Sequence, residues 1–301
     1  MKFFHPKKIC RIIKEEVIYL YRYHLNYYFI SDKTYLERKY YKIFGRKLNL
    51  EDPQAYTEKL QWLKLYDRNQ LYPRLADKYE VKKYVSETIG EEYIIPTIGI
   101  FDKFDDISFD SLPNQFVIKC THDSASVVVC RDKESIDWNH IRTKITKALK
   151  INYYKSENRQ WAYKNIKPRI IIEKYIEDKD YPDLRDYKFF CFNGQCKALF
   201  IASGRNVNDV RFDFFDRELN LLPFTNGHEH ADNVHKPNNY EKMLTLVEKL
   251  SQNIPHVRVD LYEVNNQIYF GEMTFYHWGG MVPFVPDSWD YTFGSWLKLP
   301  K

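Results

Sequence analysis

The middle of the chain is written as short apolar runs parted by polar turns: FVIKC (116–120), SVVVC (126–130), RIIIEKYI (169–176), DYKFFCFN (186–193) and QCKALFIAS (195–203). β-Branched and aromatic residues at this density select strands, and brief connections select antiparallel neighbours. Asn193-Gly194, between the last two runs, is the strongest short-range hairpin signal. Helical spacing dominates before them. DPQAYTEKLQWLKLYDRN reads as a helix with Asp52 as N-cap, Pro53 in its first turn, and Tyr56, Leu60, Leu63 and Tyr66 along one face. A second helix is expected over 75–88, closed by Gly90, and an apolar strand over Tyr93–Ile100 with Pro96 at its edge. Further helices are expected over Asp137–Ile151 and over Tyr240–Asn253, where Met243, Leu246, Val247 and Leu250 share a face. The fold class is therefore α+β, with antiparallel sheets and a helical N-terminal third.

Charge is unevenly placed. The net +5 of the 301 residues separates into +8 over residues 1–48 and −3 over the remainder. A slightly acidic body has no broad phosphate-neutralising face, which argues against nucleic acid as a partner. The basic opening contains an apolar run, Val17–Ile30, interrupted by Arg22, His24 and Asn26, so it is too short and too polar to span a bilayer. It reads as a helix docked on the body, with peripheral membrane contact through residues 1–31 as the alternative. Five cysteines, an odd number with no secretory signal, suggest a reduced, cytoplasmic protein; Cys191 and Cys196 lack the partners of a zinc site.

Three places offer chemistry. If 257–264 and 268–275 pair about Asn266, Asp260 faces Glu272 and both carboxylates project from one face, a hard-oxygen pair suited to Mg²⁺. The alternative is an ordinary strand face neutralised by Arg258 or a lysine. Lys119, ending an apolar strand before the loop Cys120-Thr121-His122-Asp123-Ser124-Ala125-Ser126, can set an ammonium and backbone N–H groups around a polyphosphate, or can simply snorkel to water. The strand Ile170–Ile176 can offer Glu173 and main-chain groups to an adenine edge, or can simply be emerging into solvent.

The order of these pieces, Ala76-Asp77-Lys78, then Phe116–Lys119, then Ile172-Glu173-Lys174-Tyr175, then Asp260 and Glu272 on a hairpin, resembles the ATP-grasp superfamily. The segments FGRKLNLEDPQAYTEKLQWLKLYDRN, LADKYEVKKYV, LPNQFVIKCTHDSASVVV, DYKFFCFNG and RVDLYEVNNQIYFGEMTF resemble in particular the TupA-like ATP-grasp family, named for teichuronopeptide synthesis, from about Phe44 onward. The resemblance implies an ATP-grasp fold: a helical N-terminal region and two antiparallel-sheet lobes clasping nucleotide. Its expected divisions are a basic segment 1–48, a helical part 49–112, and lobes 113–172 and 173–301.

By the same resemblance, Lys78 and Lys119 contact ATP phosphates, with Lys188 a further contact. Glu173 and the backbone of Lys174 to Ile176 meet adenine. Asp260 and Glu272 hold Mg²⁺, with Thr274 where many relatives carry a third ligand, Asn. The family loop after the strand lysine usually reads HGSG-like; Asp123 here sets a negative charge where phosphate would lie. The implied reaction joins a carboxylate to an amine with ATP, the partners being a uronic-acid saccharide of a bacterial surface polysaccharide and an amino acid. Lys119 and Arg205 are the expected catalytic residues. Arg205, Arg211, His228, His230 and the turn His277-Trp278-Gly279-Gly280 are candidates for holding the acceptor, and Pro283–Trp289 is expected to cover the rim of the site. Other polysaccharide-assembly proteins are further expected partners. The competing classes are a polysaccharide glycosyltransferase, a non-catalytic ATP-grasp module and a small-molecule kinase.

Overall fold

The computed structural model describes residues 30–124, 126–179, 184–204, 209–231 and 234–300. The chain divides into two compact units, residues 1–48 and 49–301. Most of the expected 17–30 helix lies outside the described residues.

In the first unit, α1 (Asp32–Phe44) opens on Ser31, whose Oγ accepts from the Thr34 N–H, and closes on Gly45 at φ 67°. It buries Tyr35, Leu36 and Tyr40.

The second unit begins with α2 (Tyr56–Tyr66), three residues later than an N-cap at Asp52 suggests. Glu58 is the reason: its Oε2 accepts from the N–H groups of Gln54 and Ala55 at 3.0 and 3.1 Å, capping the helix from within its first turn. Asp52 instead binds the Gln54 amide at 2.6 Å. Tyr56, Leu60 and Leu63 are buried as their spacing predicts, while Tyr66 is exposed.

The expected 75–88 helix is broken into α3 (Leu71–Ala76) and α4 (Val81–Thr88). Asp77 breaks it by accepting from the N–H groups of Tyr79 and Glu80, which presets a new helix start. Lys78 thereby leaves the helix, and its N–H bonds the Thr121 carbonyl. Gly90, at φ 121°, follows the last helical turn and donates to the Val85 carbonyl. The Tyr93–Ile100 strand shortens to β1 (Thr97–Phe101), because 91–93 forms a 3₁₀ turn and Pro96 has no N–H to give a ladder.

β1 joins β2 (Phe116–Cys120), β3 (Val128–Cys130) and β4 (Ile170–Lys174) in an antiparallel sheet ordered β1-β4-β2-β3. Glu173 and Lys174 thus belong to this first sheet rather than opening the second lobe. Helix α5 (Trp138–Leu149), N-capped by Asp137, covers one face, and the one-turn α6 (Tyr153–Ser156) follows it. Phe116, Ile118, Cys120, Ile170 and Ile172 point toward it and pack with Ile141 and Ile145. Period-two alternation therefore turns Val117, Lys119, Ile171 and Glu173 to the other face.

The second sheet, ordered β7-β6-β5-β8-β9, contains β5 (Asp186–Phe192), β6 (Gln195–Ser203), β7 (Arg211–Asp216), β8 (His256–Val264) and β9 (Gln267–Thr274). Asn193 and Gly194 turn β5 into β6 with both φ values positive, as the dipeptide predicts. Strand β7 is absent from the sequence reading: its RFDFFD text carries Asp213 into the sheet. Helix α7 (Tyr240–Leu250) covers this sheet with the expected Met243, Leu246, Val247 and Leu250. The last helix, α8 (Ser288–Trp296), is pinned to α2, since the buried Asp290 accepts from Thr57 N–H and Oγ1–H at 2.8 and 2.6 Å. Of the 283–289 segment only Phe284 is buried, packing on Tyr56, Phe224 and Phe293, while the exposed Val285 exchanges hydrogen bonds with Thr225.

Candidate active site

Lys119 sits one residue before the end of β2, on the face that α5 leaves open. Its Nζ lies 2.5 Å from Glu173 Oε2, a diagonal contact across β2 and β4. The second oxygen of Glu173 is held at 2.5 Å by Lys82, which also donates to the Ile95 carbonyl and Thr97 Oγ1 at 2.7 Å. Burial pushes the Glu173 carboxyl up, but the two ammoniums outweigh it and keep the group ionised below the usual carboxylate range. The Glu173 side chain is thus committed to two lysines. The Lys174 N–H bonds the Pro96 carbonyl, and Ile176 is half-buried just past the strand. Beside Lys174 and Tyr175 opens a groove of about 560 Å³, walled by Pro96, Ile98, Pro113 and Gln115.

After β2 the loop folds around its own polar groups. Ser126 Oγ accepts from the Cys120 N–H at 2.7 Å and donates to Asp123 Oδ1 at 2.5 Å. Asp123 is 5% exposed: its carboxylate is turned into the loop, so the negative charge expected on the phosphate side is directed inward. Lys78 Nζ bonds the Asp123 carbonyl, and Ser124 meets the Tyr153 hydroxyl at 2.5 Å.

On the second sheet three charged residues stand in one cross-strand row: Lys188 on β5 pairs with Asp260 on β8, and Asp260 pairs with Glu272 on β9. Lys188 Nζ bonds Asp260 Oδ2 and lies 2.7 Å from Asp186 Oδ2. Arg258, two residues before Asp260 and on its face, grips both Asp260 oxygens at 2.7 Å. The same guanidinium donates to Glu272 Oε1 and Thr274 Oγ1, each at 3.0 Å. Its remaining arm donates to His277 Nδ1 at 2.9 Å, so the Nε2–H of a neutral His277 faces Asn226 Oδ1 at 3.0 Å. Burial holds the His277 pKa far below its ordinary value, and the neighbouring Arg258 adds to this.

Burial also pushes the Asp260 carboxyl up, against the pull of Arg258 and Lys188. In Glu272 the balance reverses. Lys78, Lys188 and Arg258 outweigh burial and hold it strongly ionised. Of these only Arg258 bonds Glu272 directly; Lys78, from the loop whose N–H meets the Thr121 carbonyl, and Lys188, on the second sheet, act on it through their charge.

The donors Asp260, Glu272 and Thr274 are all hard oxygens, the chemistry that Mg²⁺ takes. Glu272, with a side chain 30% exposed, is the member open to a cation; both Asp260 oxygens are held by Arg258 and Lys188. Among the described residues there is no cluster of three or more His, Cys, Asp or Glu arranged as a metal site. The strand-face alternative weighed for Asp260 therefore describes the side chain's contacts as they stand: it is neutralised by Arg258 and a lysine, though fully buried rather than solvated.

The acceptor candidates separate. Arg205 lies outside the described residues. Arg211 pairs with Asp209 at 2.9 Å, and His230 with the buried Asp213 at 3.1 Å. His277 is buried behind Arg258, leaving Trp278, 40% exposed, and the half-buried His228. From sequence Arg258 enters only as a neutralising partner for Asp260, and Lys82 is assigned no role. Arg258 carries a signal in its i, i+2 spacing from Asp260; Lys82 carries none, because the helix break after Ala76 changes which residues Lys78 stands beside.

Two antiparallel sheets each carry a lysine–carboxylate pairing, Lys119 with Glu173 on the first and Lys188 with Asp260 on the second. The chain belongs to the TupA-like ATP-grasp family, whose sequence pattern matches residues 58–298. No curated protein sequence matches it significantly. Similar solved structures include a D-alanine–D-alanine ligase from Bacillus anthracis (15% identity, TM-score 0.40, 71% of this chain and 62% of that one). Another is the D-alanine–D-alanine ligase from Helicobacter pylori (13%, 0.40, 81% and 70%). A third is the ATP-grasp ligase PsnB with a precursor variant, Mg and ADP (6%, 0.42, 80% and 66%). The chain spans about three fifths of the length of the Bacillus anthracis enzyme. Among the described residues no helix is long and apolar enough to cross a membrane.

Proposed function

We propose that the protein is an ATP-dependent carboxylate–amine ligase that joins an amino acid to a uronic acid of a bacterial surface polysaccharide through an acyl phosphate. The observation that carries this reading is the buried group of Arg258 and Lys188 around Asp260, with Arg258 also on Glu272, while Lys119 stands on the first sheet and Lys78 in the loop that bonds Thr121 and Asp123. Phosphoryl transfer asks a protein mainly for positioning and charge neutralisation, and these four cations come from both lobes.

In this reading Lys119 and Lys78 hold the phosphates, Lys188 approaches the transferred group, and the strand end at Lys174 to Ile176 receives adenine. Glu272, with Asp260 and Thr274, would hold Mg²⁺, which supplies Lewis-acid neutralisation of the phosphate oxygens when bound. Arg258 is fixed by five contacts to four side chains. It has no freedom to follow a substrate, so it acts as a preorganised positive charge at the edge of the carboxylate pair, where negative charge develops on the acyl centre. The substrate carboxylate attacks the γ-phosphorus, ADP leaves, and the amine then displaces phosphate from the acyl carbon to give the amide. The inward-turned Asp123 favours this catalytic reading over a non-catalytic module. The reaction is placed in the cytoplasm, where ATP and activated sugars are available, with residues 1–31 as the segment for a membrane or assembly partner.

Hydroxylamine intercepts acyl phosphates as hydroxamates. With Mg²⁺-ATP and a panel of uronic acids, hydroxamate formation together with stoichiometric ADP is the expected result. ADP without hydroxamate would favour a kinase, and sugar transfer from a UDP-sugar would replace the ligase with a transferase.

A further inference from the structure

Trp278 is held in a left-handed backbone conformation (φ 51°, ψ 21°), which bulky side chains rarely adopt. Gly279 and Gly280 continue it at φ 60° and 61°. Such an outlier persists only where its surroundings hold it, and here they do. From α2, the buried Lys64 donates to the Gly279 carbonyl at 2.5 Å and Gln61 to the Gly280 carbonyl at 2.9 Å. A side chain at Gly279 would meet the Asn158 amide at 2.6 Å, so the turn is also closed from behind.

This arrangement does not bury the indole. Trp278 remains 40% exposed while its neighbour His277 is buried behind Arg258. The indole lies nearly parallel to Phe212, at 22° and 5.9 Å, and its Nε1 edge rests against Gly227. His228 packs on Phe212 at 4.4 Å and stands 6.0 Å from the indole, bringing ring nitrogens to the platform's margin. An aromatic row then leads inward. Phe212 contacts Phe200 at 4.5 Å, and Phe200 lies 5.7 Å from the Arg258 guanidinium and 6.0 Å from Lys188 Nζ.

We infer that Trp278, backed by Phe212 and edged by His228, is the stacking platform for a pyranose ring of the carboxylate substrate. An exposed indole face offers a large apolar surface to the C–H face of a sugar, while an adjacent imidazole offers hydrogen bonds to its hydroxyls. Lys119 and the strand end at Lys174, suited to nucleotide, stand on the first sheet, whereas the platform sits at the far end of the second sheet from Lys188, two strands away across Phe200 and Phe212, so this face falls to the second substrate. The inference rests on the ligase reading for its placement beside the reacting carboxylate, but not for the stacking itself.

The test is saturation-transfer NMR on the full-length protein with Mg²⁺-ADP, using methyl glucuronide, methyl galacturonide and methyl glucoside as probes. Trp278→Asn keeps a residue tolerant of the left-handed turn and removes the indole; Trp278→Phe keeps a flat ring. Transfer to ring C–H protons of at least one probe is expected, reduced at least fivefold by Trp278→Asn and less by Trp278→Phe. The thermal shift given by Mg²⁺-ADP should be the same in all three proteins, which also reports that the fold is intact. Equal transfer in wild type and Trp278→Asn would overturn the platform, as would no transfer to any probe. Sugar transfer that depends on Trp278, in a protein that Mg²⁺-ADP does not stabilise, would instead overturn the ligase reading and leave the platform standing.

Discussion

Asp260 and Glu272 are cross-strand partners because β9 carries a one-residue bulge at Gly271. From the Asn265-Asn266 turn the hairpin pairs regularly as far as Leu261 with Phe270; the register then steps, and Asp260 meets Glu272. Without the step Asp260 would face Gly271, and Glu272 would pair with Val259 on the opposite side of the sheet.

The bulge therefore sets the carboxylate pair, and Gly271 is its sensitive point. A Cβ there would lie 3.1 Å from the Asp260 carbonyl and 3.0 Å from the Tyr262 ring. Gly271→Val is expected to cost about 1–3 kcal/mol by overpacking. It should also weaken the Mg²⁺-dependent part of nucleotide stabilisation. Calorimetric melting with and without Mg²⁺-ADP checks both; an unchanged Mg²⁺ effect would separate the bulge from the site.

The two carboxylates should differ sharply when removed. Asp260 is fully buried between Arg258 and Lys188, so Asp260→Ala takes away the counterion they share, leaving Arg258 with Glu272 and Lys188 with Asp186, and is expected to cost about 3 kcal/mol in urea denaturation. Glu272→Gln keeps the shape and an acceptor for Arg258 and Thr274, so its melting temperature should stay near wild type while Mg²⁺-dependent turnover is lost. Equal destabilisation by the two substitutions would contradict this division of roles.

Acid should destabilise the protein through its buried imidazoles. His256 donates from Nδ1 to the Cys191 carbonyl and accepts from the Tyr56 hydroxyl at 2.8 Å, and burial lowers its pKa from 6.5 to about 3. The folded state thus resists protonation that the unfolded chain accepts. The stability contributed by neutral His256 is complete above about pH 6.5 and is lost as pH falls toward 3, by up to about 1.4 kcal/mol per pH unit. His256→Asn should be less stable at pH 7 yet flatter in its dependence between pH 6.5 and 4. Parallel curves for the two proteins would contradict the assignment.

Helix α8 meets α2 through Gly294, where an added Cβ would lie 2.0 Å from the Gln54 carbonyl. Neither backbone can yield without breaking the Asp290–Thr57 bonds. Gly294→Ala should accordingly cost about 3 kcal/mol or more in urea denaturation, and a cost below about 1 kcal/mol would show that the helices are free to separate.

Much of this architecture was legible in the amino-acid text because local rules and tertiary packing agree there. Phe116–Cys120 and Gln195–Ser203 form strands over the residues expected, and Asn193-Gly194 makes the turn its dihedral preferences demand. Boundaries failed where a side chain competed with the helix: Glu58 capped α2 from inside, and Asp77 split the next helix. The Asp260–Glu272 pairing followed from a turn centred on Asn266, but the turn is centred half a residue earlier and the bulge restores the count. The partners of these groups were less legible, since Lys82 with Glu173 and Asp123 with Ser126 depend on breaks and loop geometry that periodicity does not encode.

The central claim, a nucleotide site spanning both lobes, is tested most directly by the melting temperature of the full-length protein with ATP, ADP and UDP-sugars, each with and without Mg²⁺, beside Lys119→Ala. Ligand binding to the folded state raises that temperature by mass action and needs no second substrate. The account predicts a Mg²⁺-dependent rise with adenine nucleotides that Lys119→Ala abolishes. A rise with UDP-sugars alone, or an adenine-nucleotide rise that Lys119→Ala leaves intact, would contradict it.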